Sequence, residues 1–576
     1  DVDGGLAQAE IKIDQVYTTP IEHHNPMEPH ATIAQWDGNH LTLHDATQNI
    51  FGVRGTIAQI FAISEEQIHV IAPFIGGAFG CKGQTWSHVP LAAMAAKHVN
   101  RPVKLVLERP QMFGPVGARP RTHQHLTVGA TREGKLTAIR HEVHAHTSVL
   151  EDYLESSAFP TRVMYACENI STTHRIVPLN LGTPTYMRAP GVATGTYALE
   201  VAMDELAHQI KVDPLQLRLL NYTDVDPHTK APFTEKSLRE CYVRGAEKFG
   251  WAKRDPNPRS MKRGSQLVGW GMATETYPAN RLPASALVRL QPNGRVLVAS
   301  GTEDIGTGMY TIMTQVAADA LDVPVEIIDA RIGDTSFPQA PLAAGSMSTA
   351  SVMPAVQAAA QDARNKLINL ATEDPMSPLH RAHAEDIEIK NGTLVLKSDA
   401  TQSEPFASIV ARHGVSGVEG RSQVKPENDE KYSRHSFGAI FAEVTVDPDL
   451  GMVRVPRIVA VYDVGKLLNA KTARNQFIGG IVWGVSLALF EETYVDDRNG
   501  RIVNANLAEY RVPVNADIGE IDVSAIDVPD TKFNPLGARG IGEIGITGTG
   551  AAVANAIFHA TGKRVRDLPI TPEKLL

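Results

Sequence analysis

Apolar and polar residues alternate with period two over Glu10–Thr18 (EIKIDQVYT) and again over Ala31–Gln35, which predicts strands. HLTLHD at 40–45 continues the pattern as a strand ending at Asp45, and Gly52–Phe61 reads as a helix. Gln67–Ile75 returns to strand and runs into the glycine-rich GGAFGCKG at 76–83, ahead of a helix over His88–His98. Val103–Glu108, His123–Thr131 and Lys135–Ser148 read as an antiparallel meander. A long helix is predicted over Val192–Ile210, and Asp213-Pro214 starts a short one over Leu215–Leu220. Residues 222–264 are polar and rich in Pro, Lys and Arg, which predicts a linker. A hairpin over Ser285–Ser300 turns at Pro292-Asn293-Gly294. Helices over Met309–Leu321 and Val352–Thr372 flank a strand at Val325–Ile332, and 397–432 is polar and poorly patterned. Strands at 438–446 and 452–463, a small-residue helix opening at 475–484 and a helix over Ala551–Thr561 complete the chain. The order strand, glycine loop, helix recurs through it. The pattern predicts an α+β protein in two halves.

Composition narrows the classes. With 576 residues, 43% hydrophobic and 21% charged, the chain is long enough for several domains. A net charge of −9 and the lack of an interleaved basic and aromatic patch argue against nucleic acid as partner. No apolar run reaches membrane-span length. The opening DVDGGLAQAE reads as a linker rather than a signal peptide, which suggests one subunit or part of something larger. Cys81, Cys167 and Cys241 are too far apart for CxxC zinc or iron–sulfur spacing, so any clusters are expected on other chains.

Candidate chemistry lies in the loops. Leu536–Gly550 (LGARGIGEIGITGTG) holds six glycines and one carboxylate, Glu543, just before a helix. Such a backbone allows close approach to a ligand, and a helix N-terminus favours an anion. Gln48 is a neutral amide just past a strand end, able to donate and accept. The 76–83 loop fits neither GxGxxG, because Ala78 and Cys81 fall on glycine positions, nor a Walker A loop, because Cys81 and Gly83 flank Lys82. Arg188, in TPTYMRAPG at 183–191, has the fork to hold a carboxylate or phosphate, or else lies in a surface turn. His23, His24 and His30 have no zinc spacing, and Pro26 and Pro29 forbid a helix to align them, so a structural loop is expected. HEVHAH at 141–146 is not HExxH, and no GxSxG elbow is present. The residues alone thus predict several glycine loops converging on a large anionic ligand, with Glu543 near it.

Taken together and in this order, MEPHA (27–31), DATQ (45–48), GGAFGCK (76–82), YMRAPG (186–191), DELA (204–207), DPLQLRLLN (213–221), GTEDIGTG (301–308), GSMSTAS (345–351), DVG (463–465), QFIGG (476–480), RGIGE (539–543) and RDLPITPEKL (566–575) resemble the molybdenum-binding subunit of the xanthine dehydrogenase/aldehyde oxidoreductase family. The likeness runs along nearly the whole chain, and within the family it is greatest to bacterial periplasmic aldehyde oxidoreductases. It implies two elongated mixed α/β lobes with the molybdopterin site between them: residues 1–222 with the substrate loop, a linker at 223–264, and residues 265–576 with the catalytic glutamate. It implies molybdenum held by a pterin dithiolene, with oxo, sulfido and hydroxyl ligands and no protein side chain. In bacterial relatives the pterin is the cytosine dinucleotide. [2Fe–2S] clusters and FAD are expected on partner chains, and the substrate is a small-molecule aldehyde oxidised to its acid with water as oxygen source.

By the same resemblance Glu543 is the base that takes the hydroxyl proton, Gln48 lies near the apical oxo group, and Arg188 belongs to the substrate-side loop, whose backbone also contacts the cofactor. Gly77, Ala78, Phe79 and Gly80 form the loop over the metal; Thr307, Gly345, Ser346, Met347, Ser348, Gln476 and Gly540 hold the cofactor. Gly83 and Pro190 stand where xanthine enzymes carry a glutamate and an aromatic residue, which favours aldehydes over purines. Spacing places Tyr277 and Arg281 along the substrate funnel. Cys81 and Thr307 depart from the family's glycine and glutamine. Two other readings remain beside this one: an N-heterocycle hydroxylase of quinoline, isoquinoline or nicotinate type, and a non-catalytic scaffold subunit. Neither bacterial cytoplasm nor periplasm is singled out.

Overall fold

The computed structural model describes residues 1–414, 416–426 and 431–576. Its main elements fall into two series. The first comprises β1 (Ile11–Thr19), β2 (Ala31–Asp37), β3 (His40–Asp45), α1 (Ile50–Phe61), β4 (Ile68–Ile71), α2 (His88–Val99), β5 (Val103–Val106), β6 (Thr122–Ala130), β7 (Leu136–Ser148), β8 (Ile170–Leu179) and α3 (Val192–Ile210). The second runs β9 (Gln266–Pro278), β10 (Ala284–Leu290), β11 (Val296–Ala299), α4 (Met309–Leu321), β12 (Ile328–Arg331), α5 (Ser348–Glu373), β13 (Val418–Val424), β14 (His435–Val446), β15 (Val453–Asp463), α6 (Ala470–Leu489), β16 (Ile518–Ala525) and α7 (Thr549–Thr561).

The two series share one topology. The small sheets run β4-β3-β2-β5 and β12-β11-β10-β13, and the large ones β1-β6-β7-β8 and β9-β14-β15-β16, with Lys262–Arg263 added beyond β9. In each small sheet only β3 with β4, and β11 with β12, pair in parallel. In each large sheet only the last two strands do. The chain is therefore built as two copies of one arrangement. The sequence showed this only as a recurring strand, glycine loop and helix. Mixed helices and strands bear out the α+β class.

The large sheets and their helices share one core. Tyr17, Leu126, Tyr197 and Val201 from the first copy join Ile440, Val444, Ile481, Val553 and Ile557 from the second. β14 is buried at every residue, as expected of a central strand covered on both faces, and α3 packs on α7. Each small sheet keeps its own core, around Leu43, Val70 and Val89 in one and Val298, Met313 and Val356 in the other.

Residues 223–264, expected as a linker, are folded. The helix Leu238–Phe249 buries Leu238, Cys241, Tyr242 and Phe249, which pack with Trp251 on Trp270, Phe437 and Phe441 of the second large sheet. Spacings of three and four between its apolar residues give it a buried face, while its Lys, Arg and Glu face water. Two predicted strands are shorter than expected: Gln67–Ile75 stops at Ile71, before Pro73, and Val325–Ile332 begins as a 3-10 turn. Within the polar 397–432 stretch, a strand (Asp399–Pro405) and a helix (Phe406–His413) are present, while residues 415 and 427–430 lie outside the described residues. Among the described residues no helix is long and apolar enough to cross a membrane.

β9 meets α7 through two glycines. A Cβ on Gly271 would lie 2.2 Å from the Ala556 nitrogen, and one on Gly269 1.9 Å from the Ala556 oxygen. Gly271→Val is expected to destabilise the fold by about 1–3 kcal/mol or more through overpacking, read as a lower denaturant midpoint in the purified protein.

Candidate active site

Six loops, each leading from a strand into a helix, meet where the two copies face each other. They are 46–49, 72–87 and 180–191 from the first copy and 300–308, 332–347 and 526–548 from the second. Backbone bonds stitch them together: Ala72 N–H to Gly333 O (2.7 Å), Ile75 N–H to Asp304 O (3.1 Å) and Arg188 N–H to Phe79 O (2.9 Å).

Glu543 starts a 3-10 turn, Ile544–Ile546, just before α7, and is half-buried. The Ala189 N–H donates to its Oε1 (3.4 Å) and Ser346 Oγ to its Oε2 (3.5 Å). Tyr277, buried at the end of β9, is a third hydrogen-bond partner. Burial pushes the Glu543 carboxyl above the ordinary range, opposed by these three partners and by the nearby Arg188 charge. Tyr277, expected on the wall of a substrate funnel, thus lies on Glu543 itself.

Arg188 is buried, and its side chain is committed to main chain: Nε donates to Gly542 O (2.6 Å) and Nη2 to Gln476 O (2.8 Å). Burial lowers its pKa to about 10, so it stays cationic at neutral pH. Here the guanidinium braces the glutamate loop rather than reaching for a substrate carboxylate. Gln48 is buried too, with Nε2 on Ala343 O (2.7 Å) and Oε1 accepting from Gly80 N–H (3.2 Å).

The 76–83 loop turns sharply at Gly77, Phe79 and Gly80, all at positive φ. Gly80 admits no other residue, since a Cβ there would fall 2.0 Å from Tyr186 O. Ala78 is buried, and its carbonyl accepts from the Cys81 thiol (3.1 Å). Phe79 remains 37% exposed and meets Trp483 of α6 edge-on at 4.9 Å. The Trp483 indole N–H is buried with no hydrogen-bond partner. Gly83 N–H bonds Gly80 O (3.1 Å), close behind the Gln48 side chain.

Ser346, at φ 50°, lies on Gly540, where a Cβ would fall 1.6 Å from Ser346 O. Gln476 Nε2 reaches Gly306 O (3.4 Å), and Asn280 Nδ2 reaches Gly345 O (3.3 Å). Residues 344–349, including Gly345, Met347 and Ser348, are half-buried in a row, as are Gly540 and Gly542. These contacts join Gln48, Phe79, Gly80, Arg188, Tyr277, Ser346, Gln476, Gly540 and Glu543 in one cleft.

Thr307 and Arg281 are bonded within the protein. Thr307, expected among the cofactor-holding residues, donates its N–H to Asp304 Oδ1 at 2.9 Å, as do the Gly306 and Gly308 N–H groups at 2.9 and 3.2 Å. Arg281 places Nε on Ala350 O (3.2 Å) and Nη1 on Phe533 O (2.6 Å), which ties α5 to the 526–548 loop. Pro190 is half-buried beside Ala189. The three histidines of the 22–30 stretch are spent separately: His23 on Phe113 O, His24 on Tyr186 O, His30 on Cys81 O. Burial keeps all three neutral, with pKa values lowered to about 4, 3 and 3.

Sequence reasoning missed Ala189 N–H, Trp483 and the carboxylates at the helix starts. Asp304 takes N–H groups at the start of α4, Glu155 the Gly191 N–H before α3 (2.7 Å), and Glu275 the Gly548 N–H before α7 (3.2 Å). α5 starts with no side-chain cap, so its first N–H groups remain suited to an anion. Helical register with the 345–348 motif was the one local signal for this end.

A glycine-lined cleft, an uncapped helix start and an unspent indole donor fit a large cofactor with anionic groups. Among the described residues no group of three or more His, Cys, Asp or Glu side chains is placed to hold a metal, so a metal here would bring its own ligands. Residues 1–222 and 244–519 each match a molybdopterin cofactor-binding domain family. The fold and cleft are those of a molybdopterin-binding protein.

Among curated proteins, the chain is 41% identical over 583 residues to the aldehyde oxidoreductase molybdenum-binding subunit PaoC of Escherichia coli (strain K12), covering 100% of this chain and 77% of that one. Among solved structures, quinoline 2-oxidoreductase from Pseudomonas putida 86 matches with a TM-score of 0.89 at 22% identity, covering 100% of this chain and 77% of that one. Aldehyde oxidoreductase from Desulfovibrio gigas matches with a TM-score of 0.84 at 23% identity, covering 100% and 62%. The chain belongs to the family of molybdopterin-binding oxidoreductases of aldehyde oxidoreductase and xanthine dehydrogenase type.

Arg188→Met would leave the Gly542 and Gln476 carbonyls without their donors. The expected cost is about 1–3 kcal/mol of stability, measured by chemical denaturation, with the glutamate loop the first segment to gain amide exchange.

Proposed function

We propose that this chain is the molybdenum-binding subunit of an enzyme that oxidises aldehydes to carboxylic acids: RCHO + H2O → RCOOH + 2 e⁻ + 2 H⁺. The observation that carries the reading is Glu543, the one carboxylate in a glycine-rich loop, half-buried in the cleft with its oxygens on Ala189 N–H and Ser346 Oγ. Similarity to a subunit named for aldehyde oxidation supports the substrate class. The bound molybdenum cofactor supplies the redox chemistry. We assign it the cytosine-dinucleotide form with a sulfido ligand, and we assign [2Fe–2S] and FAD carriers to partner chains, since this chain's three cysteines are buried far apart in sequence.

Residues 1–222 and 265–576 then supply the two walls of the cleft. Glu543 receives, on a carboxylate oxygen, the proton released as water's oxygen passes to the carbonyl carbon. Such a base must be ionised yet poorly solvated. Burial supplies the second property, while Tyr277, Ala189 N–H, Ser346 and Arg188 supply the first. Phe79 and Trp483 keep water from one side. Gly345, Ser346, Met347, Ser348, Gln476 and Gly540, with the uncapped start of α5, would hold the pterin and its phosphates. Gly83 and Pro190 offer no polar side chain to a purine, which leaves the cleft to aldehydes.

Glu543→Gln keeps the shape and removes the base. Turnover of benzaldehyde is expected to fall by about 10²–10⁴-fold with molybdenum content unchanged. Near-normal turnover would sink the base assignment. In the unaltered enzyme, faster oxidation of isoquinoline or nicotinate than of benzaldehyde would move the substrate class to N-heterocycles. Because its folded pKa is raised, Glu543 should lose activity with falling pH at a point above the ordinary glutamate value.

A further inference from the structure

Ala189 presents a backbone N–H to the proposed base while at φ 56°, a left-handed conformation that alanine seldom adopts. Something must hold it there. Its flanking peptide groups answer the question. The Arg188 carbonyl accepts from Arg119 Nη2 at 2.7 Å, and the Gly191 N–H donates to Glu155 Oε1 at 2.7 Å. Arg119 and Glu155 are in turn an ion pair at 3.4 Å, both almost without exposed surface. Tyr153 donates to the other Glu155 oxygen at 3.0 Å, and Arg119 Nε lies 3.0 Å from Glu22 Oε2. The pair thus grips the loop on both sides of Ala189 and touches neither the cleft nor Glu543.

We propose that Arg119 and Glu155 are positioning residues for the base: together they hold the Arg188–Gly191 turn so that the Ala189 N–H meets the Glu543 carboxylate. This rests on the assignment of Glu543 as base. A salt bridge buried merely for stability would not need to take one carbonyl and one N–H from the same four-residue turn.

The role makes a prediction that structure alone would not. The Ala189 N–H favours the ionised form of Glu543, so releasing the turn must raise the pH at which the base becomes ionised. The other groups facing Glu543 are Tyr277, Ser346 and Arg188. Those around Glu155 are Arg119 and Tyr153, with Glu22 and Glu491 beyond Arg119, and burial pushes both of these last two carboxyls up. Tyr277 lies within electrostatic reach of both Glu543 and Glu155.

The test uses the assembled, molybdenum-loaded enzyme. Two readouts are taken: the acidic limb of kcat/KM for benzaldehyde, and the infrared titration of the carboxyl band that disappears in Glu543→Gln. In Glu155→Ala both should move up by about one pH unit, the size of one lost hydrogen bond to a charged group. Glu155→Gln keeps an acceptor for Gly191 and should cancel most of the shift. Where Glu155→Ala does not assemble, Glu155→Asp, one methylene shorter, carries the same expectation as the alanine variant. Loss of rate with both titrations at their original pH would overturn the proposal. If the acidic limb instead survives in Glu543→Gln, the base assignment fails, and the infrared titration still decides whether Glu155 sets the turn.

Discussion

A buried guanidinium among main-chain oxygens holds the cleft together. Arg188 ties three segments that are remote in sequence: its N–H meets Phe79 O, Nε meets Gly542 O, and Nη2 meets Gln476 O. The planar fork suits this work, since it stays charged and its donors diverge at fixed angles. Burying a cation is costly unless its donors are satisfied. The carbonyls satisfy the geometry, and the neighbouring Glu543 carboxylate helps to balance the charge. Glu543 and Arg188 therefore stabilise each other, one from each copy of the fold.

The same logic recurs at the helix starts. Carboxylates close the N-termini of α3, α4 and α7: Asp304 from the loop leading into α4, Glu155 and Glu275 from more distant segments. The N–H groups taken up in this way are not offered to a ligand at those ends. α5 alone of these four long helices starts beside the half-buried 344–349 run with no side-chain or carboxylate partner of this kind. That end is left open to an anion, and Glu543 lies beside it, bonded by Ser346 two residues before α5.

Much of this was legible in the chain. Period-two runs gave most strands, the long helices fell close to where periodicity put them, and the glycine loops with one acid pointed to the cleft. The duplication was not legible, because it resides in strand order and pairing sense rather than in repeated residues. Residues 238–249 read as linker because their outward face is charged; the apolar face shows only at helical spacing. The bonds of Arg281 were not legible, because its partners, the Ala350 and Phe533 carbonyls, are set by tertiary packing. Arg188 and Gly542 are 354 positions apart, and no local pattern announces a bond of that range.

One consequence concerns the donor that Ala189 offers to Glu543. It is a peptide group, and every residue but proline would place one there. Side-chain substitutions at position 189 therefore test volume and backbone strain, never the donor itself. What holds that donor toward Glu543 is written at a distance, in Arg119 and Glu155, which grip the turn around Ala189. A mutational scan limited to the cleft would map its walls and miss what aims this peptide group.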